Sequence, residues 1–175
     1  NTAIFRRKES AMPDPMQSAA AATIPQRLSP DDPRLPAVLD LIRTAFAGMA
    51  GRIDPPSSML HLTLSDLRRT DREVWAIGAP PDACMVLSPQ AGTLYLGKLA
   101  VSATARGRGL ARVMVDAAAA RARRLGFATL TLQTRVELVE NQATFQHLGF
   151  REAGRTAHPG YSRPTTITYV MDTAP

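Results

Sequence analysis

The sequence predicts a single α/β domain with elements in the order β-α-α-β-β-β-α-β-α-β-β, and three observations carry that expectation. The 175 residues are 45% hydrophobic and 21% charged, enough for one sizeable core but not for two domains. Stretches with apolar residues at helical spacing interleave with short apolar or alternating runs bounded by Gly, Pro and Asp. A long apolar run, "TLYLGKLAV", passes through a glycine- and arginine-rich turn directly into an alanine-rich helical stripe.

Residues 1–22 are polar, proline-bearing and alanine-rich without a period, so they are expected to be a flexible leader, and residues 23–175 the domain. A short strand is expected in "TIPQRLSP". Asp31, Asp32 and Pro33 then start a helix through "LPAVLDLIRTAFAGMAG", closed by its last glycine. "RIDPPSS" is a loop in which Ser57 or Ser58 caps a second helix running through "MLHLTLSDLRR". "EVWAIG" and "ACMVLS" are short strands, "APPD" and "PQAG" turns, and "TLYLGKLAV" a longer strand. Leu110, Val113, Met114, Ala117 and Ala118 form one stripe of a helix that Gly126 ends. "ATLTLQT" alternates as a half-buried strand, a helix surrounds "NQATFQHLG", and "FREAG" and "TTITYVMD" close the chain as strands.

Composition narrows the function classes. No apolar segment approaches the length of a membrane span, and the leader lacks the apolar centre of a secretion signal, so a soluble cytoplasmic protein is expected, with no membrane partner. The single cysteine, Cys84, excludes an internal disulfide and a cysteine-based metal site; it suits a small buried apolar position, and no metal is expected. The net charge is +6, and Lys8 and Lys98 are the only lysines in an arginine-rich chain. Arg106, Arg108, Arg112, Arg121, Arg123 and Arg124 crowd one region with only Asp116 against them. No aromatic residue is interleaved to stack on bases, so the cluster fits the phosphates of a compact ligand better than a nucleic-acid track. A solvated helix face is the plain alternative.

The turn "ARGRGLAR" places Gly107 and Gly109 where a strand becomes a helix. A helix N-terminus offers unpaired N–H groups and the positive end of the helix dipole, and glycines let a phosphate approach the main chain. Two familiar nucleotide loops are excluded: a dinucleotide fingerprint needs a third glycine where Arg112 stands, and a P-loop needs Gly-Lys-Ser/Thr. A glycine pair before a helix also suits an ordinary turn.

The segment Arg106, Gly107, Arg108, Gly109, Leu110, Ala111 resembles motif A of the GNAT acetyltransferase superfamily, R/Q-x-x-G-x-G/A, following a strand that ends "LAV". "ENQATFQHLGF" is similar to the family's next segment, with Phe145 four residues before the pair Gly149 and Phe150. The resemblance runs from about residue 24 to 172. It implies a mixed, mostly antiparallel sheet flanked by helices, and acetyl-CoA as cosubstrate. It implies that the pyrophosphate lies on the backbone N–H groups of residues 106–111, with charge from Arg106, Arg108 and Arg112. The pantetheine arm would lie along Leu99, Ala100 and Val101 as an extra strand where "LYLGKLAV" and "ATLTLQT" splay apart, with Asn141 bonding the cofactor. The implied reaction is direct attack of a primary amine on the thioester, the carbonyl polarised by N–H groups near Leu99 to Val101.

The chain departs from the family where Phe145 takes the place of the tyrosine that usually protonates the leaving thiolate. Phe145 can pack on the thioester but cannot donate a proton. The acceptor pocket is expected between the first two helices, at Arg52, Asp54, Ser57, Ser58 and His61, and between the last two strands, at His158 and Tyr161. His61 or Glu137 is the candidate base, Tyr161 the candidate substitute acid, Asp54 the partner of an acceptor cation and Arg52 that of a carboxylate. Each has a structural rival: Asp54 before Pro55 also suits the start of a turn, His61 a half-buried helix position, and Glu137 a solvated helical turn with Glu140. The acceptor is a small-molecule or peptide amine, and oligomeric state, including a homodimer, is left open. An acyl-CoA-binding or sensing domain with little turnover and a basic nucleic-acid-binding domain are the alternative functions.

Overall fold

The computed structural model describes residues 23–174, so the expected leader at 1–22 lies outside the described residues. One seven-stranded sheet runs through it in the order β1-β2-β3-β4-β5-β7-β6, formed by β1 (Gln26–Leu28), β2 (Glu73–Ile77), β3 (Ala83–Gln90), β4 (Thr93–Val101), β5 (Thr129–Arg135), β6 (Arg151–Thr156) and β7 (Thr166–Asp172). Every neighbouring pair is antiparallel except β4 and β5. The helices are α1 (Leu35–Ala47), α2 (Leu64–Leu67), α3 (Leu110–Arg124) and α4 (Val139–His147), with short 3-10 turns at Ser58–His61 and Ala103–Ala105. This is the expected order of elements and the expected mixed, mostly antiparallel sheet.

The two large helices cover opposite faces. α1 buries Leu35, Val38, Leu39 and Ile42 against Val74, Ala76, Cys84 and Val86 of β2 and β3. α3 buries Leu110, Met114, Val115, Ala118 and Ala122 against Met85, Leu94, Leu130 and Leu132 on the other face. The alanines keep α3 close to the sheet, and Gly126, at φ +80°, ends it as its position predicted.

Four local expectations are corrected. The helix expected through "MLHLTLSDLRR" is two separate turns, because Leu62 and Thr63 are extended and Thr63 starts a new helix in a reciprocal capping box with Asp66. Ser57 does act as a cap, but of the 3-10 turn, accepting from the Met59 N–H at 3.2 Å. α1 ends at Ala47 with Gly48 as its cap, while Gly51 at φ +75° belongs to the following turn. Pro89 and Gln90, expected in a turn, continue β3 opposite Leu94 and Thr93, leaving Ala91 and Gly92 as the hairpin tip.

Two departures from a regular sheet shape the site. β4 and β5 pair only at Leu94–Leu130 and Tyr95–Thr131, and the strands diverge beyond that point. The Thr93 hydroxyl ties the closed end, donating to the Thr129 carbonyl at 2.9 Å. In β4 the register against β3 shifts between Cys84–Ala100 and Val86–Gly97, so Lys98 and Leu99 together oppose Met85. This bulge holds Lys98 at φ +52°, a left-handed conformation rare outside glycine.

Candidate functional site

The diverging strands open a cleft of two adjoining chambers that share Met49, Leu99, Leu138, Asn141 and Phe145. The chamber on the side of the glycine loop has a volume of about 730 Å³, and Val101, Arg106, Gly107, Gly109, Leu110 and Ala111 line it. The other, about 530 Å³, lies between the loop after α1, the bulge of β4, the end of β5 and the β6–β7 loop. Its walls include Phe46, Met59, Tyr95, Lys98, Arg135 and His158.

Gly109 is the N-cap of α3 at φ +75°, and Gly107 precedes it at φ +77°. A β-carbon at either would meet nothing within 4 Å, so it is backbone conformation, not crowding, that favours glycine there. The N–H groups of Leu110, Ala111 and Arg112, the first turn of α3, have no intrahelical acceptor; the first to bond is that of Val113, to the Gly109 carbonyl at 3.2 Å. Free donors at the positive end of a fifteen-residue helix, open to a chamber, suit a polyanion.

The arginines near that loop divide. Arg106 lines the chamber, whereas Arg108 pairs with Asp82 at 3.2 Å and Arg112 donates to the His147 carbonyl at 3.0 Å. Farther along α3, Arg121 grips Glu73 through two bonds, and Arg123 donates to the Thr173 carbonyl at 3.4 Å. Sequence crowding thus conceals different tasks, of which only Arg106 faces the cleft.

Phe145 reaches the junction of the chambers from α4, its ring 6.2 Å from Phe150 edge-on and 6.3 Å from Tyr169. Asn141, one turn earlier on the same helix, lines both chambers. Leu99, Ala100 and Val101 border the loop-side chamber, and Ser57, Ser58 and His158 the other. The His158 ring contacts the Thr165 hydroxyl at 2.5 Å, and that hydroxyl also accepts from the His158 N–H at 2.9 Å.

The remaining candidates belong to contacts around the rim. His61 is exposed on the 3-10 turn, outside the walls of both chambers. Arg52 lines the loop-side chamber and pairs with Glu140. Asp54 accepts from the Tyr161 hydroxyl at 2.5 Å and lies 3.7 Å from Arg163. Glu137 accepts from the Asp54 N–H at 3.4 Å and lies 4.0 Å from Arg163. The bond to Asp54 holds the Tyr161 phenol above its ordinary pKa, so its proton is committed to that carboxylate. Tyr161 and Glu137 line neither chamber.

Sequence reasoning missed Tyr95, Lys98 and Arg135. Burial raises the Tyr95 pKa, partly offset by the Gln133 N–H, and keeps the phenol protonated. Its ring lies over Gly97, where a β-carbon would stand 3.1 Å from Cε1, so glycine makes room for it. Burial, reinforced by the charge of Arg72, lowers the Lys98 pKa against the counter-effect of Asp66. Arg135 donates to the Pro55 carbonyl at 2.7 Å and the Thr165 carbonyl at 3.1 Å, tying both rim loops to β5. The one available signal was Lys98, the single lysine of the domain in a chain that otherwise uses arginine.

Residues 38–150 match the model of a family described as the acetyltransferase (GNAT) family. No curated protein matches the chain in sequence. The fold is similar to that of aminoglycoside 6'-acetyltransferase type Ii, at 19% identity, 87% coverage of this chain, 98% of that one and a TM-score of 0.68. It is similar to an aminoglycoside 6'-N-acetyltransferase complexed with coenzyme A, at 15% identity, with coverage of 87% and 98% and a TM-score of 0.68. The ribosomal-protein-S18-alanine N-acetyltransferase from Escherichia coli gives 19% identity, coverage of 86% and 95%, and a TM-score of 0.60.

Proposed function

The chain belongs to the acetyltransferase (GNAT) family, and from that premise we propose that it transfers the acetyl group of acetyl-CoA to a primary amine by direct attack within a ternary complex. One observation carries the reading: free N–H groups at the start of α3 open onto a cleft that leads between two diverging strands to a second chamber. A diphosphate on residues 106–111 would direct its thioester arm along Leu99, Ala100 and Val101 toward the junction beneath Phe145. Arg106 supplies charge to the phosphates, and Asn141 bonds the arm.

In the transfer, the acceptor nitrogen forms a bond to the acetyl carbon, the carbon–sulfur bond breaks, and the proton lost by the amine balances the one gained by the thiolate. N–H groups near Leu99 to Val101 stabilise the oxyanion. Phe145 supplies apolar packing and no proton. Of the chain's three tyrosines, Tyr169 is buried in the core, Tyr161 is bound to Asp54, and Tyr95 lines the acceptor chamber. Tyr95 is thus the one tyrosine left on the cleft, and with water it is the donor this reading assigns to the thiolate.

Titration calorimetry with acetyl-CoA, followed by thiol release across an amine panel, tests the reading. Saturable binding and amine-dependent release of CoA are expected; absence of CoA binding overturns it. A second reading, a CoA-binding sensor with little turnover, is favoured by Phe145 alone, and binding without release from any amine would select it.

A further inference from the structure

The chamber assigned to the acceptor carries positive groups and no negative one. Its ionisable lining is Tyr95, Lys98, Arg135 and His158, with no aspartate or glutamate. The carboxylates around its rim have other partners: Asp54 accepts from Tyr161, Glu137 lies beside Arg163 and Arg135, Glu140 pairs with Arg52, and Asp66 accepts from Thr63, its charge acting on Lys98 only from beyond ion-pair distance. Among the described residues, no carboxylate stands within ion-pair distance of Lys98. A half-buried cation with no ion-pair partner, and with only the more distant charge of Asp66 set against that of Arg72, on a bulge residue in a left-handed conformation, is unfavourable in the empty protein. An anion arriving with the substrate would offset that cost. Beside these charges the walls are apolar, with Phe46, Met49, Ile53, Met59 and Leu132.

We propose that the acceptor is an amine that also carries a carboxylate and an apolar side chain, in the manner of an apolar α-amino acid, with Lys98 pairing its carboxylate. Phe46 and Met59 receive the side chain, while Arg135, on the same wall, is held by the Pro55 and Thr165 carbonyls beside Glu137. The assignment rests on the acetyl-transfer reading above. A polycationic amine would bring like charge against Lys98, and an amide in place of the carboxylate would leave Lys98 without an ion-pair partner.

Calorimetry on the CoA-saturated full chain tests the assignment with product pairs: the N-acetyl derivatives of leucine, methionine and phenylalanine against their carboxamides. At least one acid should bind about tenfold more tightly than its amide, and Lys98→Met should level that pair. Acids that bind no better than their amides, or do not bind at all, overturn the assignment, as does a preference that survives in Lys98→Met. Thiol release with leucine, leucinamide and spermidine gives an independent readout, expected in that order of kcat/KM. If CoA gives no heat, the acetyl-transfer reading falls and takes this assignment with it. If CoA binds and spermidine or leucinamide is the best acceptor, that reading stands and the carboxylate assignment alone falls.

Discussion

Gly109 concentrates the cofactor question in one residue. Its φ of +75° is strained for any side chain, although the space around it is open. Gly109→Ala should therefore cost about 1 kcal/mol of stability and weaken acetyl-CoA binding, seen as a lower Tm and a smaller Tm rise on adding CoA. Phe145 poses the proton question. Phe145→Tyr should raise kcat by about tenfold, within the roughly 2 kcal/mol at stake when a thiol of pKa about 8.5 leaves as thiolate near neutral pH. An unchanged kcat would mean that another donor already serves, and loss of activity in Tyr95→Phe would then identify it. Cys84 is chemically quiet: burial pushes its thiol up to about 12, despite an offsetting bond from the Ala100 N–H. Its alkylation at pH 8 should proceed only at the rate of unfolding, and rapid labelling of the folded protein would contradict its burial.

At the scale of elements, α3 is joined to the sheet by more than its apolar stripe. Arg121 holds Glu73 of β2 through bonds of 3.0 and 2.6 Å, and Glu73 also accepts from the Trp75 indole at 3.1 Å. Burial pushes the Glu73 pKa up, but the bonds from Arg121 and Trp75 outweigh it and hold the group below its ordinary 4.5. A carboxylate whose pKa is depressed by folding stabilises the folded state above its unfolded pKa, and that stabilisation is lost as pH falls through the folded value. Glu73→Gln should thus cost about 1–3 kcal/mol at pH 7, and the difference from the unchanged protein should shrink below pH 4.5 in urea titrations. A difference independent of pH would assign the cost to packing instead.

At the scale of the molecule, the cleft is spanned by contacts between segments far apart in the chain. Tyr161 from the β6–β7 loop reaches Asp54 in the loop after α1, and Arg135 of β5 donates to carbonyls of both loops. These ties set the rim of the chamber opposite the glycine loop and leave that loop untouched. Tyr161→Phe should raise the acceptor KM severalfold while CoA affinity and Tm stay nearly unchanged, because an exposed contact contributes little to folding. A parallel loss of CoA affinity would show that the two chambers do not behave as separate sites.

Local chemistry was enough to establish the element order, the end of α3 at Gly126, the left-handed glycine turn that starts α3 and the burial of Cys84. Each depends on neighbours in the chain: apolar period, a left-handed glycine, or unpaired N–H groups at a helix start. The break at Leu62 and Thr63 was also written locally, as Thr63 three residues before Asp66, but the surrounding apolar residues masked it. What only the tertiary structure decided is which side chains share the cleft. The divergence of β4 and β5, the bulge that brings Lys98 to a chamber wall, and the engagement of Tyr161 by Asp54 arise from contacts between strands and loops distant in sequence. Residue spacing along one chain carries no record of where two strands part, because that is set by how both faces of the sheet pack.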